Sequence, residues 1–184
     1  DPQAVYDIAI VGGGATGLGL ATKSAAEDQK AQELLAQQLR TSAGATEEAI
    51  AANEDFISGM SRAFAVADDQ LRPAMSNLVR STGSVEAAQD LMNTALDISA
   101  ATGKDLETVT LALGKAYNGS TAALTKLDPS LKNVIDSSSS MQEITDALAV
   151  SFGGAATTAA MSFEGRMAGM KIAMDETKES IGMA

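Results

Sequence analysis

The sequence predicts an all-α fold, in which several antiparallel helices form a compact or elongated helical bundle behind a glycine-rich N-terminal lead. Hydrophobic residues make up 45% of the chain and aromatic residues only 3%, so Ala, Leu and Met must fill the core. Such residues favour helices more than sheets. Helix stop and start signals recur along the chain. We therefore divide the chain into an apolar lead segment, residues 1–14, and a helical module, residues 15–184.

The first three predicted helices are separated by glycine and acidic residues. The first runs from about Ala15 to Arg40 and ends near Gly44. The second opens at Thr46, with two glutamates in its first turn where acidic side chains suit the helix dipole, and continues to about Ala67. The third is short, contains a proline in its first turn and stops at Gly83.

The next two predicted helices each carry one apolar face. The fourth, Ser84 to Ala101, ends before Gly103, and the fifth runs from Lys104 to the turn signal Asn118-Gly119. We predict that Tyr117 belongs to the core, because it lies on the apolar face of the fifth helix. The apolar positions of the two helices are Val85, Ala88, Met92, Ala95 and Leu96, and Leu106, Val109, Leu113, Ala116 and Tyr117.

The chain beyond Gly119 is predicted as shorter helices before the last one. A helical segment, STAALTKL, leads to Asp128, the predicted N-cap of a helix with Pro129 at its first position. Ser137 to Ser140 forms a loop. Ser140 and Glu143 then fit a capping box that opens a helix broken by Gly153-Gly154.

The last predicted helix, about Thr158 to Met183, has a seam typical of coiled coils, because its apolar positions alternate spacings of four and three. Two interpretations are open. The seam packs on the rest of the module, or it pairs with another copy or a partner helix. The seam residues are Phe163, Met167, Met170, Met174, Thr177 and Ile181, and all except Thr177 form the candidate helix–helix interface.

Composition excludes several classes of function. The chain has no His and no Cys, which excludes disulfides, thiolate chemistry, His-ligated metals and His-based catalysis. A net charge of −11 repels phosphate backbones, so we expect no specific nucleic-acid binding. The sequence starts at Asp1 without Met and without a basic region before its apolar stretch. We therefore expect a fragment or a processed product, with no signal peptide.

A glycine motif near the N-terminus raises the alternative of an FAD- or NAD-dependent oxidoreductase fragment. Residues Tyr6 to Ala21 read YDIAIVGGGATGLGLA, in which Gly12, Gly14 and Gly17 fit G-x-G-x-x-G. A dinucleotide site also needs a second strand, with an acidic residue about 20 positions on. The sequence after Gly19 indicates an uninterrupted helix there, so we expect no cofactor.

The same stretch raises a second alternative, a membrane-active helical protein. Residues Ile8 to Thr22 are uncharged. A membrane-spanning helix needs about 20 apolar residues, so this segment is short for that role. Gly13 and Gly17 form one small-xxx-small pair, which would let two helices approach closely. We interpret the segment as a flexible lead, with transient host-membrane contact as the alternative.

No other group of residues predicts catalysis. The pairs Glu54-Asp55 and Asp68-Asp69 lack the alternating D-x-D-x-D-G pattern of a calcium loop and are interpreted as solvated faces or caps. The serines at 137–140 have no partner base placed by the sequence. We therefore predict a protein that is not an enzyme and has no catalytic, cofactor or metal site.

Extended stretches of the chain resemble a helical region of phage tail tape measure proteins. The resemblance covers about Ala15 to Ala184 and departs at Asp128-Pro129, where the family often has Gly. The stretches that carry it are AEDQKAQELLAQQLRTSAG, LRPAMSNLVRSTG, ATGKDLETVTLALGKAYNG, ALTKL and MSFEGRMAGMKIAMDETKESIG.

The resemblance implies a structural virion protein located in the lumen of the tail tube and assembled in the host cytoplasm. Tape measure proteins set tail length during assembly and leave the tube ahead of DNA at infection. The implied partners are tail tube and tail tip proteins, with self-association as a further expectation. An unbroken helix of this chain would span roughly 276 Å. Its many helix breaks instead predict a compact module rather than an extended ruler.

Overall fold

The structure, a computed structural model, describes residues 23, 25–129, 131–136 and 140–182. Helices hold 86% of these residues and no β-strand occurs among them, which confirms the all-α fold. The predicted lead segment, residues 1–14, lies outside the described residues. The helices are α1 (25–43), α2 (Glu47–Phe64), α3 (Asp68–Thr82), α4 (Val85–Thr102), α5 (Leu106–Tyr117), α6 (Ala122–Leu127), α7 (Leu131–Asp136), α8 (Met141–Phe152), α9 (Ala155–Met161) and α10 (Phe163–Gly182).

Helix α3 lies at the centre of the bundle, packed against α2, α4 and α5. Leu71, Met75 and Leu78 on its buried face are inaccessible to solvent. Helix α4 also contacts α5, α8 and α9, while α6 and α7 link α5 to α8. Helix α1 adds Leu35 and Leu39 to the same core. Aliphatic side chains and methionine thus fill one continuous interior, as the composition predicts.

Helices α3 and α5 approach each other closely at Gly114. A Cβ atom at this position would lie 2.3 Å from Oγ and 2.8 Å from Cβ of Ser81. Both distances are shorter than van der Waals contact, so only glycine fits without a shift of one helix. Gly114 therefore sets how closely the two central helices approach.

Two glycines end helices at the predicted places. Gly83 and Gly103 adopt left-handed conformations, with φ of 68° and 69°. Their N–H groups donate to the carbonyls of Val79 and Ser99, at 2.8 and 2.9 Å. Glycine is favoured here because it has no Cβ to strain in this conformation.

Side-chain caps begin several helices. The hydroxyl of Ser140 accepts a hydrogen bond from the N–H of Glu143, as the predicted capping box requires. Thr46 and Ser84 cap α2 and α4 in the same way. The fifth helix is capped by Asp105, one residue after its predicted start. These caps satisfy N–H groups that have no partner within their helix.

The predicted ends of some elements are wrong by a few residues. Helix α2 ends at Phe64 rather than Ala67, because Ala65 adopts a left-handed conformation with φ of 56°. The predicted N-cap Asp128 is not among the wrong ones: it is extended, and its carbonyl accepts a hydrogen bond from the N–H of Leu131, the first residue of α7, at 3.1 Å. Tyr117 was predicted in the core but is 41% exposed, because it is the last residue of α5 and lies at the end of its apolar face.

The last predicted helix is two helices in the structure. Ser162 is extended, with ψ of 165°, and separates α9 from α10. Its hydroxyl accepts a hydrogen bond from the N–H of Gly165 at 3.0 Å. A Cβ at Gly165 would lie 2.3 Å from the carbonyl oxygen of Ala159, so this sharp connection requires glycine. A serine cap and a glycine three residues later therefore produce a turn where periodicity predicts a continuous helix.

Candidate interaction surfaces

Helix α10 presents a row of three exposed methionines, Met167, Met170 and Met174, which we call the methionine stripe. Their side chains are 50%, 61% and 62% exposed. The spacing of three and four residues places them on one side of the helix. The side chains of Phe163 and Ile181, which continue the seam in sequence, lie outside the described part of the structure. The described part of the seam thus faces solvent, and the interpretation that it packs on the module is wrong there.

The opposite side of α10 faces the rest of the bundle. Gly165, Gly169 and Ile172 are partly buried, and a Cβ at Gly169 would lie 3.6 Å from Cβ of Ala65. Helix α10 contacts α9 and α2 through this side. Two glycines four residues apart let helices approach closely, so small residues mark the inner side of α10. The larger apolar side chains are left on the outer side.

The most buried charge in the described structure is Arg72 of α3, which is only 4% exposed. Its Nε donates to Oε2 of Glu54 at 3.1 Å, and its Nη1 lies 2.7 Å from Oδ2 of Asp68. The same Nη1 also donates to Oδ1 of Asp28. One guanidinium thereby joins α1, α2 and α3 through three carboxylates. We call these four residues the Arg72 cluster.

The pKa values in the Arg72 cluster respond to burial in different directions. Burial raises the pKa of Asp28, and the attraction of Arg72 does not fully offset burial because the neighbouring Asp68 raises this pKa as well. Burial lowers the pKa of Arg72, but the combined attraction of Asp68, Glu54 and Asp28 outweighs burial and raises it. The guanidinium is thus held in its charged form.

An open cavity of about 300 Å³ lies beside the Arg72 cluster, between α1, α3 and α10. Its lining is rich in carboxylates, contributed from both sides of the cavity. Glu27 and Asp69 line it from the bundle, and Asp175 and Glu176 line it from α10. Among the described residues, no group of three or more acidic side chains is arranged to hold a metal ion. The cavity is therefore an acidic gap between α10 and the rest of the bundle.

One residue of each acidic pair considered in the sequence, Glu54-Asp55 and Asp68-Asp69, has a structural role. Glu54 and Asp68 belong to the Arg72 cluster, whereas Asp55 and Asp69 are exposed. Sequence reasoning missed Arg72 itself. The available signal was a charged residue between Leu71 and Met75 on an apolar face, with an aspartate four residues before it. An arginine at such a position is buried only when acidic partners meet it there.

The described structure gives no support to the two alternative classes. Residues 32–37 lie within α1, where a dinucleotide site needs its second strand and an acidic residue. Gly12, Gly14 and Gly17 lie outside the described residues, as does the apolar segment proposed to contact membranes. No helix within the described ranges is long and apolar enough to span a bilayer.

Comparison of the chain with protein families, curated proteins and solved structures gives no match. The main features of the described structure are the helical bundle, the methionine stripe and the Arg72 cluster.

Proposed function

We propose that the chain is a structural module of a phage tail tape measure protein, which sets tail length during assembly and leaves the tail ahead of DNA. The extended resemblance of the sequence carries this proposal. Its stretches Leu71–Gly83 and Ala101–Gly119 correspond to α3 and to α5 with its flanking turns, which lie at the centre of the bundle. The resemblance therefore falls on the residues that build the fold.

Two structural properties support an assembly role. Most large apolar residues are buried, yet the methionine stripe remains exposed on a helix whose other side packs on the bundle. Contiguous exposed apolar side chains are typical of surfaces that bind a protein partner or a membrane. Methionine adapts its shape to different partners because its side chain is unbranched and flexible. Tail tube and tail tip proteins, and other copies of the chain, are the partners we propose.

The helix connections support a compact module rather than a ruler. Helices α3, α4 and α5 are joined by connections of two and three residues and contact one another. A chain that folds back in this way adds little length along a tube. We propose that tail length is measured elsewhere in the parent protein, while this module acts at one position in the lumen of the virion tail.

Location in the virion tests the proposal directly. Antibodies raised against the purified chain should label tails of the phage that encodes it, and mass spectrometry of purified virions should detect peptides from α3 and α5. Absence of these peptides from virions of normal tail length would refute the tail assignment. Flavin absorbance in the purified protein would favour the oxidoreductase alternative instead.

Tail length separates a compact module from a ruler. Duplication of residues 15–184 within the parent protein would lengthen an extended helix by about 255 Å. A folded module should add on the order of 30 Å at most, which is the length of a 20-residue helix such as α10. Electron micrographs that compare the tail lengths of the wild-type phage and of the phage with the duplication distinguish these outcomes.

A further inference from the structure

We propose that the groove between α5 and α6 binds an acidic peptide segment of a partner protein, in which a large apolar side chain lies between carboxylates. The groove is open and has a volume of about 310 Å³. We call it the lysine groove, and its lining includes Lys104, Lys115, Lys126, Leu111, Ala112 and Leu127. The inference goes beyond the tail assignment, because it depends on α5 and α6 alone and holds wherever the chain is located.

The charge of the lysine groove is opposite to that of the chain as a whole. Acidic residues outnumber basic ones by 24 to 13, yet none of the described residues that line the groove is acidic. Its three lysines are exposed, and none of them forms an ion pair within the described part of the chain. The groove is therefore a positive site on an acidic protein, and its charge is complementary to that of a negatively charged ligand.

The apolar part of the lysine groove favours a ligand that brings more than charge. Leu111 is 43% exposed. It lies two residues from both Val109 and Leu113, whose side chains are buried, so it points away from the core face of α5. Ala112 and Leu127 continue this apolar surface towards α6. An apolar side chain of the ligand would remove Leu111 from water, which an inorganic anion cannot do.

The lysine groove lacks two features that phosphate sites commonly use, which are unpaired N–H groups at a helix start and arginine side chains. At the start of α5, the N–H and the hydroxyl of Thr108 each donate a hydrogen bond of 2.7 Å to the carboxylate of Asp105. No arginine is among the described residues that line the groove. A nucleic acid or an anionic membrane also carries many negative charges, which the net charge of −11 repels. A short acidic peptide carries only a few.

The positions of the lysines set the length of the ligand. Lys104 precedes α5 and Lys115 lies in its last turn, so they mark the two ends of a helix of 12 residues. Such a helix is about 18 Å long. An extended peptide covers this distance with about five or six residues. We therefore expect carboxylates near both ends of the bound segment and the apolar side chain near its middle, over Leu111.

Nuclear magnetic resonance of the isotope-labelled full chain tests the binding. The probe is a synthetic peptide with blocked ends, in which two glutamates stand on each side of one leucine. We expect changes of amide chemical shift confined to α5 and α6, with a dissociation constant on the order of 1 mM. Binding should weaken as the NaCl concentration rises, because salt screens exposed charges. Unchanged shifts in a several-fold excess of peptide over this value, or changes spread over other helices, would overturn the proposal.

Variants of the chain test the residues of the groove. Lys104→Gln combined with Lys115→Gln should weaken binding about 5-fold, as expected for the loss of two exposed charge pairs. The matched control combines Lys30→Gln and Lys171→Gln, which remove the same charge from exposed positions on α1 and α10 and should leave the affinity unchanged. Leu111→Ala should weaken binding of the leucine peptide but not of a peptide with alanine in its place. Equal loss in the two double variants, or equal binding of the two peptides by the wild type, would contradict the proposed contacts.

Other ligands test the chemistry of the partner. A peptide with glutamine in place of glutamate should not bind, and equal binding of this peptide would show that charge does not select the ligand. A short oligothymidylate and vesicles that contain phosphatidylserine are compared with the acidic peptide at the same salt concentration. Tighter binding of either at the lysine groove would assign it to a nucleic acid or a membrane surface and refute the peptide assignment. None of these outcomes depends on whether the chain is present in virion tails.

Discussion

Replacement of Arg72 by methionine should cost more stability than any substitution of an exposed charge. The change removes the guanidinium but keeps a side chain of similar length, so the packing around α3 is largely retained. Asp28, Glu54 and Asp68 would then lie close together without a positive partner. Their repulsion and their unmade hydrogen bonds act on three helices at once.

The expected loss is about 3 kcal/mol in the free energy of unfolding. Breaking a buried ion pair by removing one partner costs about 3–5 kcal/mol. The lower end applies because the three carboxylate side chains remain 12–25% exposed and are partly hydrated. For a chain of 184 residues this corresponds to a fall in Tm of roughly 6–12 °C.

Urea denaturation followed by circular dichroism measures this loss. Arg80→Met, an exposed position on the same helix, is the control and should cost at most about 1 kcal/mol. The deficit of Arg72→Met should shrink as the pH falls. Arg72 lowers the pKa of Asp28, which burial raises, so without Arg72 the folded-state pKa of Asp28 rises further and its protonation at low pH favours folding. An Arg72→Met chain within about 0.5 kcal/mol of wild type at neutral pH would refute a structural role for the cluster.

Three further changes test other parts of the fold. Gly114→Ala should lower the free energy of unfolding, measured by thermal denaturation, by about 2 kcal/mol, because the added methyl group clashes at the α3–α5 contact. Gly59→Ala is the control and should raise it by about 0.5–1 kcal/mol, because Gly59 has open space around it within a helix. Equal effects of the two changes would contradict this packing. The Asp97 carboxylate accepts hydrogen bonds from N–H groups at the start of α9. Asp97→Ala should therefore lower the free energy of unfolding by about 1 kcal/mol and reduce the protection of α9 amides in hydrogen exchange. Unchanged protection of α9 would contradict this capping role. Hydrogen bonds from the hydroxyl and N–H of Thr108 lower the pKa of Asp105, so its stabilisation is present above about pH 3.9 and is lost as the pH falls through its folded pKa. The stability of the Asp105→Asn variant should therefore fall less steeply with decreasing pH than that of the wild type. Equal slopes for the two proteins in acid would exclude this contribution.

Local chemistry explains which parts of the fold were predictable. The ends of α3 and α4 follow from glycines that adopt left-handed conformations, and the start of α8 follows from a serine cap. Each of these signals acts within a few residues of sequence. The apolar faces of α4 and α5 are similarly visible in their spacing, and most of those residues are buried.

Contacts between distant residues were not predictable in the same way. Arg72 meets Asp28 across 44 positions and Glu54 across 18, so no local pattern indicates these two partners, although Asp68 lies only four residues before Arg72. The seam of α10 has the spacing of a core helix, but the pattern does not say what covers it. Gly165 and Gly169 determine which side of α10 is buried, because they let the side opposite the seam approach the bundle.

Imaging of this module inside an intact tail tests the proposed function most directly. We expect electron microscopy to show folded-back helices with the packing of α3, α4 and α5 at one position in the tube lumen. A tail whose lumen holds only extended helices at the residues of this chain, or that lacks the chain altogether, would contradict a compact tail module.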